Sequence, residues 1–217
     1  MKLTFAERLQ QPVPLLADGA MGTMLHQRGV SMSTCFDALN LTQPELVAAV
    51  HLDYLTAGAD LIETNTFGAN RFKLSEQGLA DQVEAINQAG VEIARRAIEQ
   101  AGREAYILGS VGPLGVRVKP YGKVSKDEAQ EAFSHQITAL VDAGVDALIF
   151  ETFADHTELL IALAAARAIA PNIIVICQAT FAPDDRTLPG FTPSKVAFDL
   201  FKAGADVIGV NCGAGPQ

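Results

Sequence analysis

The chain has 217 residues, 49% hydrophobic and 19% charged, with a formal net charge of −9 at pH 7. That length supports one well-filled core, and the acidic balance argues against nucleic acid and anionic membranes, both of which need a basic patch. No stretch approaches the roughly 20 apolar residues of a bilayer span, and the charged start, Met1 to Leu9, has no apolar signal core, so a cytoplasmic location is expected. Cys35, Cys177 and Cys212 are scattered and odd in number, which speaks against a disulfide framework.

Six apolar, mostly β-branched runs read as strands: 13–17, 61–64, 106–109, 147–150, 173–179 and 207–210. They are continuous rather than alternating, as in parallel strands covered on both faces. Between them lie helical patterns at 44–56 (with Thr42 as a candidate cap), 81–101, 126–143, 157–170 and 194–203. Ser125 with Glu128 three residues on has the form of a capping box. The phrase Ala-Gly-x-Asp recurs at 57–60, 143–146 and 203–206, each time joining a helix to the next strand. Glycine suits the left-handed residue that ends a helix, so the phrase marks a repeated βα joint.

Strand–helix alternation leaves a doubly wound open sheet or a (β/α) barrel. No Gly-x-Gly-x-x-Gly follows the first strand. Polar residues instead recur at strand ends: Asp18, Glu63 to Thr66, Ser110, Glu151 and Thr152, Gln178 to Thr180, Asn211 and Cys212. Convergence of many strand ends on one face is the layout of a TIM (β/α)8-type barrel, of which about the first six βα units are expected here. Residues 1–217 are read as one such domain, incomplete at its carboxyl end. The final run, 207–210, is expected to be a buried strand leading into a glycine turn, with Cys212 at the barrel mouth.

Five segments resemble the homocysteine S-methyltransferase family: 16–23 (LADGAMGT), 63–70 (ETNTFGAN), 109–113 (GSVGP), 150–153 (FETF) and 209–212 (GVNC). The resemblance is nearest to the homocysteine-binding domain of cobalamin-dependent methionine synthases. It implies a TIM barrel that holds zinc through three cysteine thiolates, with the homocysteine sulfur as fourth ligand and a methyl group delivered by cobalamin bound elsewhere. Cys212 stands where the family has its first zinc cysteine; the family's adjacent Cys-Cys pair has no counterpart in these 217 residues. The implied partners are homocysteine and domains or chains carrying methylcobalamin or methyltetrahydrofolate. A dimer or a swap across the incomplete barrel is a further expectation, because missing units would expose strand edges and apolar surface.

The substrate-binding candidates are Asp18, Gly19, Ala20, Glu63, Asn65, Ser110 and Glu151. Asp18 reads as a turn aspartate on its own; the resemblance makes it an acceptor for the substrate ammonium. Glu151 ends an apolar strand, where a carboxylate is costly unless a cation pairs it. The Gly19–Gly22 turn offers backbone N–H groups to a carboxylate. Glu63, Asn65 and Thr66 share a strand end and either line the pocket or brace the loops, with bracing favoured for Glu63 and Thr66. Asn211 is expected to satisfy backbone groups, and Cys35 and Cys177 to be small core residues. His26, His51, His135 and His156 show no pattern that gathers them on a metal. Two polar loops, 119–123 and 183–190, are expected to rim the site. The alternatives are a fragment that binds homocysteine or another amino acid without catalysis, lacking a complete zinc site, and a different barrel enzyme such as an aldolase, for which no strand-end lysine is present.

Overall fold

The structure is a computed structural model that describes residues 2–213. Helices α1 (Phe5–Leu9), α2 (Met21–Gln27), α3 (Leu39–Thr42) and α4 (Pro44–Ala57) precede β1 (Leu61–Glu63). Then follow α5 (Arg71–Ser75), α6 (Val83–Ala101), β2 (Tyr106–Val111), α7 (Lys126–Asp142), β3 (Ala147–Phe153), α8 (His156–Ile169), β4 (Ile174–Ala179), α9 (Pro193–Lys202) and β5 (Val207–Val210). The five strands form one sheet in the order β1-β2-β3-β4-β5, every pair parallel. The described strands therefore make a singly wound α/β sheet.

Because side chains alternate across a strand, each strand feeds two layers. Ile62, Ile107, Leu148, Phe150, Val175 and Cys177 pack toward the helices in the main core, with Phe133 of α7 and Phe153 at its centre, ring centroids 6.1 Å apart. The opposite parity, Leu61, Tyr106, Leu108, Ala147, Ile149 and Ile176, forms a second core. Helix α1 plugs that core at the amino ends of the strands: Phe5 lies 5.2 Å from the Tyr106 ring, whose hydroxyl donates to the Leu3 carbonyl at 2.9 Å. Continuing the same parity toward the carboxyl ends reaches Glu63, Ser110 and Glu151, so the pleat itself aims these three at one mouth.

The three Ala-Gly-x-Asp joints share one construction. Gly58, Gly144 and Gly204 take φ of 110°, 85° and 89°, where a Cβ is strained. Each following aspartate makes a two-point clasp on the neighbouring strand segment. Asp60 N–H donates to the Leu16 carbonyl while its carboxylate accepts from Leu16 N–H; Asp146 does the same with Ile107, and Asp206 with Val175. An arginine from the adjacent helix region covers the open carbonyls: Arg103 at Gly58, Arg95 at Gly144 and Arg167 at Gly204.

Several expectations change. Residues 13–17 do not form a full strand; only Ala17 bridges Leu61 in parallel. Pro12 and Pro14 remove ladder donors, and Val13 and Leu16 lie exposed. Thr42 does not cap α4: it ends α3, its hydroxyl donates to Ala38, and Gln43 is the uncapped residue before Pro44. β5 is not buried among the described residues. It is an edge strand with Ile208 and Val210 exposed, beside exposed Phe198 and Phe201 of α9. The capping box at Ser125 and Glu128 is present, with both reciprocal bonds. The glycine turn after Cys212 runs beyond the described residues.

Candidate functional site

The loop after β1 is fixed first, by buried amides. Asn40 donates to the carbonyls of Asn65 and Ile86, Asn65 to Phe36 and to the Asn40 side chain, Asn87 to Ala69, and Gln136 to Thr66. The Thr66 hydroxyl donates to the Ser110 carbonyl at 2.7 Å. Asn65 and Thr66 are thus scaffold, and they hold Ser110 against the end of β1.

On that frame three acids converge. Asp18 accepts the Glu63 N–H at 3.1 Å through Oδ2; its Oδ1 is buried and has no hydrogen-bond partner. Glu151 accepts the Ser110 hydroxyl at 2.5 Å. Burial pushes Asp18 up to about 7, helped by the Glu151 charge and opposed by the Glu63 N–H. Burial likewise raises Glu63, to about 9, with the Glu151 and Asp18 charges adding to it. Glu151 is raised by burial too, against the hydrogen bonds it accepts from Ser110 and Glu63 and the attraction of Lys73. The direction is that Glu63 is the acid that keeps a proton beside Glu151. A buried acceptor without a donor is costly, and a cluster of carboxyls with one orphan oxygen calls for a cation carrying N–H groups.

Glu151 sits on a bulge. β3 and β4 pair Phe150 with Cys177 and Phe153 with Ala179, so β3 carries one extra residue. That shift leaves Thr152 at φ 65°, rare for a β-branched residue and costing roughly 1–3 kcal/mol. Asn211, just past β5, reaches across the end of β4 to this bulge. Its Oδ1 accepts the Thr152 N–H at 2.8 Å, and its Nδ2 donates to Thr152 Oγ1 at 2.9 Å and lies 3.5 Å from Glu151 Oε2. Its own N–H and carbonyl are tied to Ala179 and Thr180. Asn211 does satisfy backbone groups, as expected, but the bulge and the contact with Glu151 carry no signal in the sequence.

Gly19 and Ala20 lead into the seven-residue α2, and Tyr54 donates to the Ala20 carbonyl at 3.2 Å. A Cβ at Gly19 would meet the Tyr54 hydroxyl at 3.0 Å. The loops 119–123 and 183–190 meet in a cavity of about 280 Å³ lined by Arg117, Val118, Tyr121, Asp155, Leu188 and Pro189. It lies between loops that follow β2, β3 and β4, on the same side of the sheet as the acids. Cys35 is half-buried, and Cys177 is buried with its thiol pushed up to about 12 by burial. His51 is buried without a partner and is pushed down to about 4 by burial; His156 packs on Phe191 and faces Asp199.

Cys212 follows Asn211 at φ 47° and is exposed. Among the described residues no group of three or more His, Cys, Asp or Glu could hold a metal ion. The donor set at Cys212 is a single thiol whose neighbour Asn211 is already bonded to Thr152, so the described residues do not make up the three-thiolate zinc site that the resemblance implies.

These features define a parallel α/β protein whose half-buried acids gather at the carboxyl ends of one sheet. The sequence pattern of the family described as homocysteine S-methyltransferase matches residues 15–217, and the chain belongs to that family. It is 32% identical over 215 residues to the methionine synthase of Mycobacterium tuberculosis (strain ATCC 25618 / H37Rv), which covers 93% of this chain and 18% of that protein. To the methionine synthase of Mycobacterium leprae (strain TN) it is 33% identical over 223 residues, 97% of this chain and 18% of that one. The chain thus spans less than a fifth of these relatives. Its fold is similar to the homocysteine methyltransferase MmuM of Escherichia coli in its metallated form, with a TM-score of 0.83 at 29% identity, covering 96% of this chain and 77% of that one. Against the apo form of the same enzyme the TM-score is 0.72 at 28% identity, covering 96% and 74%. No described helix is long and apolar enough to cross a membrane.

Proposed function

We propose that residues 1–217 are the homocysteine-binding part of an enzyme that transfers a methyl group to the homocysteine thiol, giving methionine. In this reading the five strands and the Ala17 bridge are six units of a (β/α)8 barrel, and the protein works in the cytoplasm. The observation that carries the proposal is the convergence of Asp18, Glu63 and Glu151 around an orphan Asp18 oxygen. An α-ammonium supplies a further positive charge and the N–H donor that the Asp18 oxygen lacks. Its arrival removes the reason for Glu63 to keep its proton, so binding releases protons near neutral pH. Backbone N–H groups of the Gly19–Gly22 turn would take the carboxylate, and Asp18, Gly19, Ala20, Glu63, Ser110 and Glu151 would line the amino-acid pocket. Asn65 would act through the loop it braces.

Methyl transfer forms a sulfur–carbon bond, breaks the donor–methyl bond and requires the thiol proton to leave. The described donor set, a single exposed thiol at Cys212, does not complete a zinc site. Domains bearing methylcobalamin or methyltetrahydrofolate, and a dimer across the open edge, belong to the proposal only as partners.

The test is calorimetry of the chain with L-homocysteine and L-methionine at two buffer ionisation enthalpies. Binding of both with proton release near pH 7, weakened about tenfold or more in Glu151→Gln, is the expected result. No binding by either amino acid would overturn the reading. A second reading is an amino-acid-binding unit without catalysis, in which the exposed Cys212 thiol has no metal role. It predicts the same binding, with no methyl transfer even when zinc and a methyl donor are supplied.

A further inference from the structure

We infer that Asn211 is the positioning residue that holds the Glu151 carboxylate in the mouth toward which the pleat aims it, by clamping the strained β3 bulge from the end of β5. Two strands that are not neighbours in the sheet are joined by this one carboxamide: β4 lies between β3 and β5. Its oxygen takes the Thr152 N–H, which the bulge withdraws from the ladder, and its nitrogen reaches Thr152 Oγ1 and Glu151 Oε2. The bonds at Ala179 and Thr180 fix the Asn211 backbone, so the carboxamide has little freedom to follow a relaxing bulge. If Thr152 left φ 65°, Phe153 would turn from the helix side, the Thr152 N–H would leave Asn211, and the Glu151 carboxylate would lose its Asn211 contact and the restraint on its rotamer. Cys212 begins directly after the clamp and also has positive φ. Cys212 thus starts from a backbone tied to Ala179 and Thr180, while the Asn211 side chain reaches Glu151. This inference rests on the amino-acid reading above for its ligand, but not for the clamp itself.

Two measurements separate the parts. The first is a thermal-unfolding cycle of Asn211→Ala, Thr152→Gly and the double variant. Glycine tolerates positive φ, so the clamp has less to hold in that background. The loss in Tm from Asn211→Ala is expected to be smaller by about 2 °C or more when residue 152 is glycine. Additive shifts would overturn the clamp. Asn211→Ser serves if the alanine variant does not fold. The second is the Kd for L-methionine. Asn211→Ala is expected to weaken it by about tenfold or more at a temperature where the variant is fully folded, an effect that a merely stabilising asparagine would not produce. Unchanged affinity in that variant, with the wild type binding, overturns the positioning role and leaves the amino-acid reading intact. If the wild type does not bind L-methionine while the cycle shows coupling, the ligand reading falls and the clamp stands.

Discussion

Asp18→Asn is expected to stabilise the unliganded protein, and only above acidic pH. Asp18 lies about three pH units above its ordinary value in the folded state, about 7 against 3.8, chiefly because it is buried. At pH between those values the folded state holds a proton that the unfolded chain gives up, so stability falls as pH rises from about 4 to about 7 and then stays low. Three units correspond to about 4 kcal/mol; the side chain keeps some contact with water, so about 2 kcal/mol is the working figure. Asparagine keeps an acceptor for the Glu63 N–H and can turn its amide toward the neighbouring carboxylates. The variant should melt about 4–8 °C higher than wild type at pH 8, with the gain vanishing near pH 4. Calorimetric melts of both proteins at half-unit steps from pH 4 to pH 8.5, in low salt, measure the difference directly. A gain independent of pH, or a variant less stable at pH 8, would refute the account of a buried acid held against its charge.

Three further outcomes follow from the packing. Gly144→Ala, at φ 85° in the second joint, should cost about 1–2 kcal/mol in urea unfolding with an unchanged m-value. Phe133→Ala, fully buried between α7 and the sheet, should cost about 3–5 kcal/mol and lower Tm accordingly. Cys212→Ser changes an exposed side chain and should leave stability within about 0.5 kcal/mol, while abolishing the fast-reacting thiol in a titration with an aromatic disulfide; Cys177, buried and with its thiol raised, should stay slow in the folded protein.

The long elements could be read from letters because each had a period or a joint. Helices α6 and α7 carry apolar stripes, and five of the six apolar runs became strands whose parity already placed Glu63, Ser110 and Glu151 on one face. What escaped had no period to show. Helices α1, α2, α3 and α5 are four to seven residues long, too short for a stripe, and are set by tertiary contacts such as Phe5 on Tyr106. The run at 13–17 looked like a strand by hydrophobicity and lost its ladder to proline. Asp18 and Glu151 stand out in the sequence as acids at strand ends, whereas Glu63, a candidate for which bracing is favoured there, stands beside both, because only the fold brings the three carboxyls together. The Thr152 bulge is hidden for a plainer reason: threonine is not a residue one reads as left-handed.

The aspartate clasps sit at the amino ends of their strands, while the acids and the long loops 119–123 and 183–190 occupy the carboxyl ends. Alignment is thus keyed at the foot of the sheet by three notches, at the entry to β1, between β2 and β3 and between β4 and β5, and insertions at the top cannot throw it out of step. A chain built this way can have its upper loops exchanged for those of another protein of the same fold with little risk to the frame beneath.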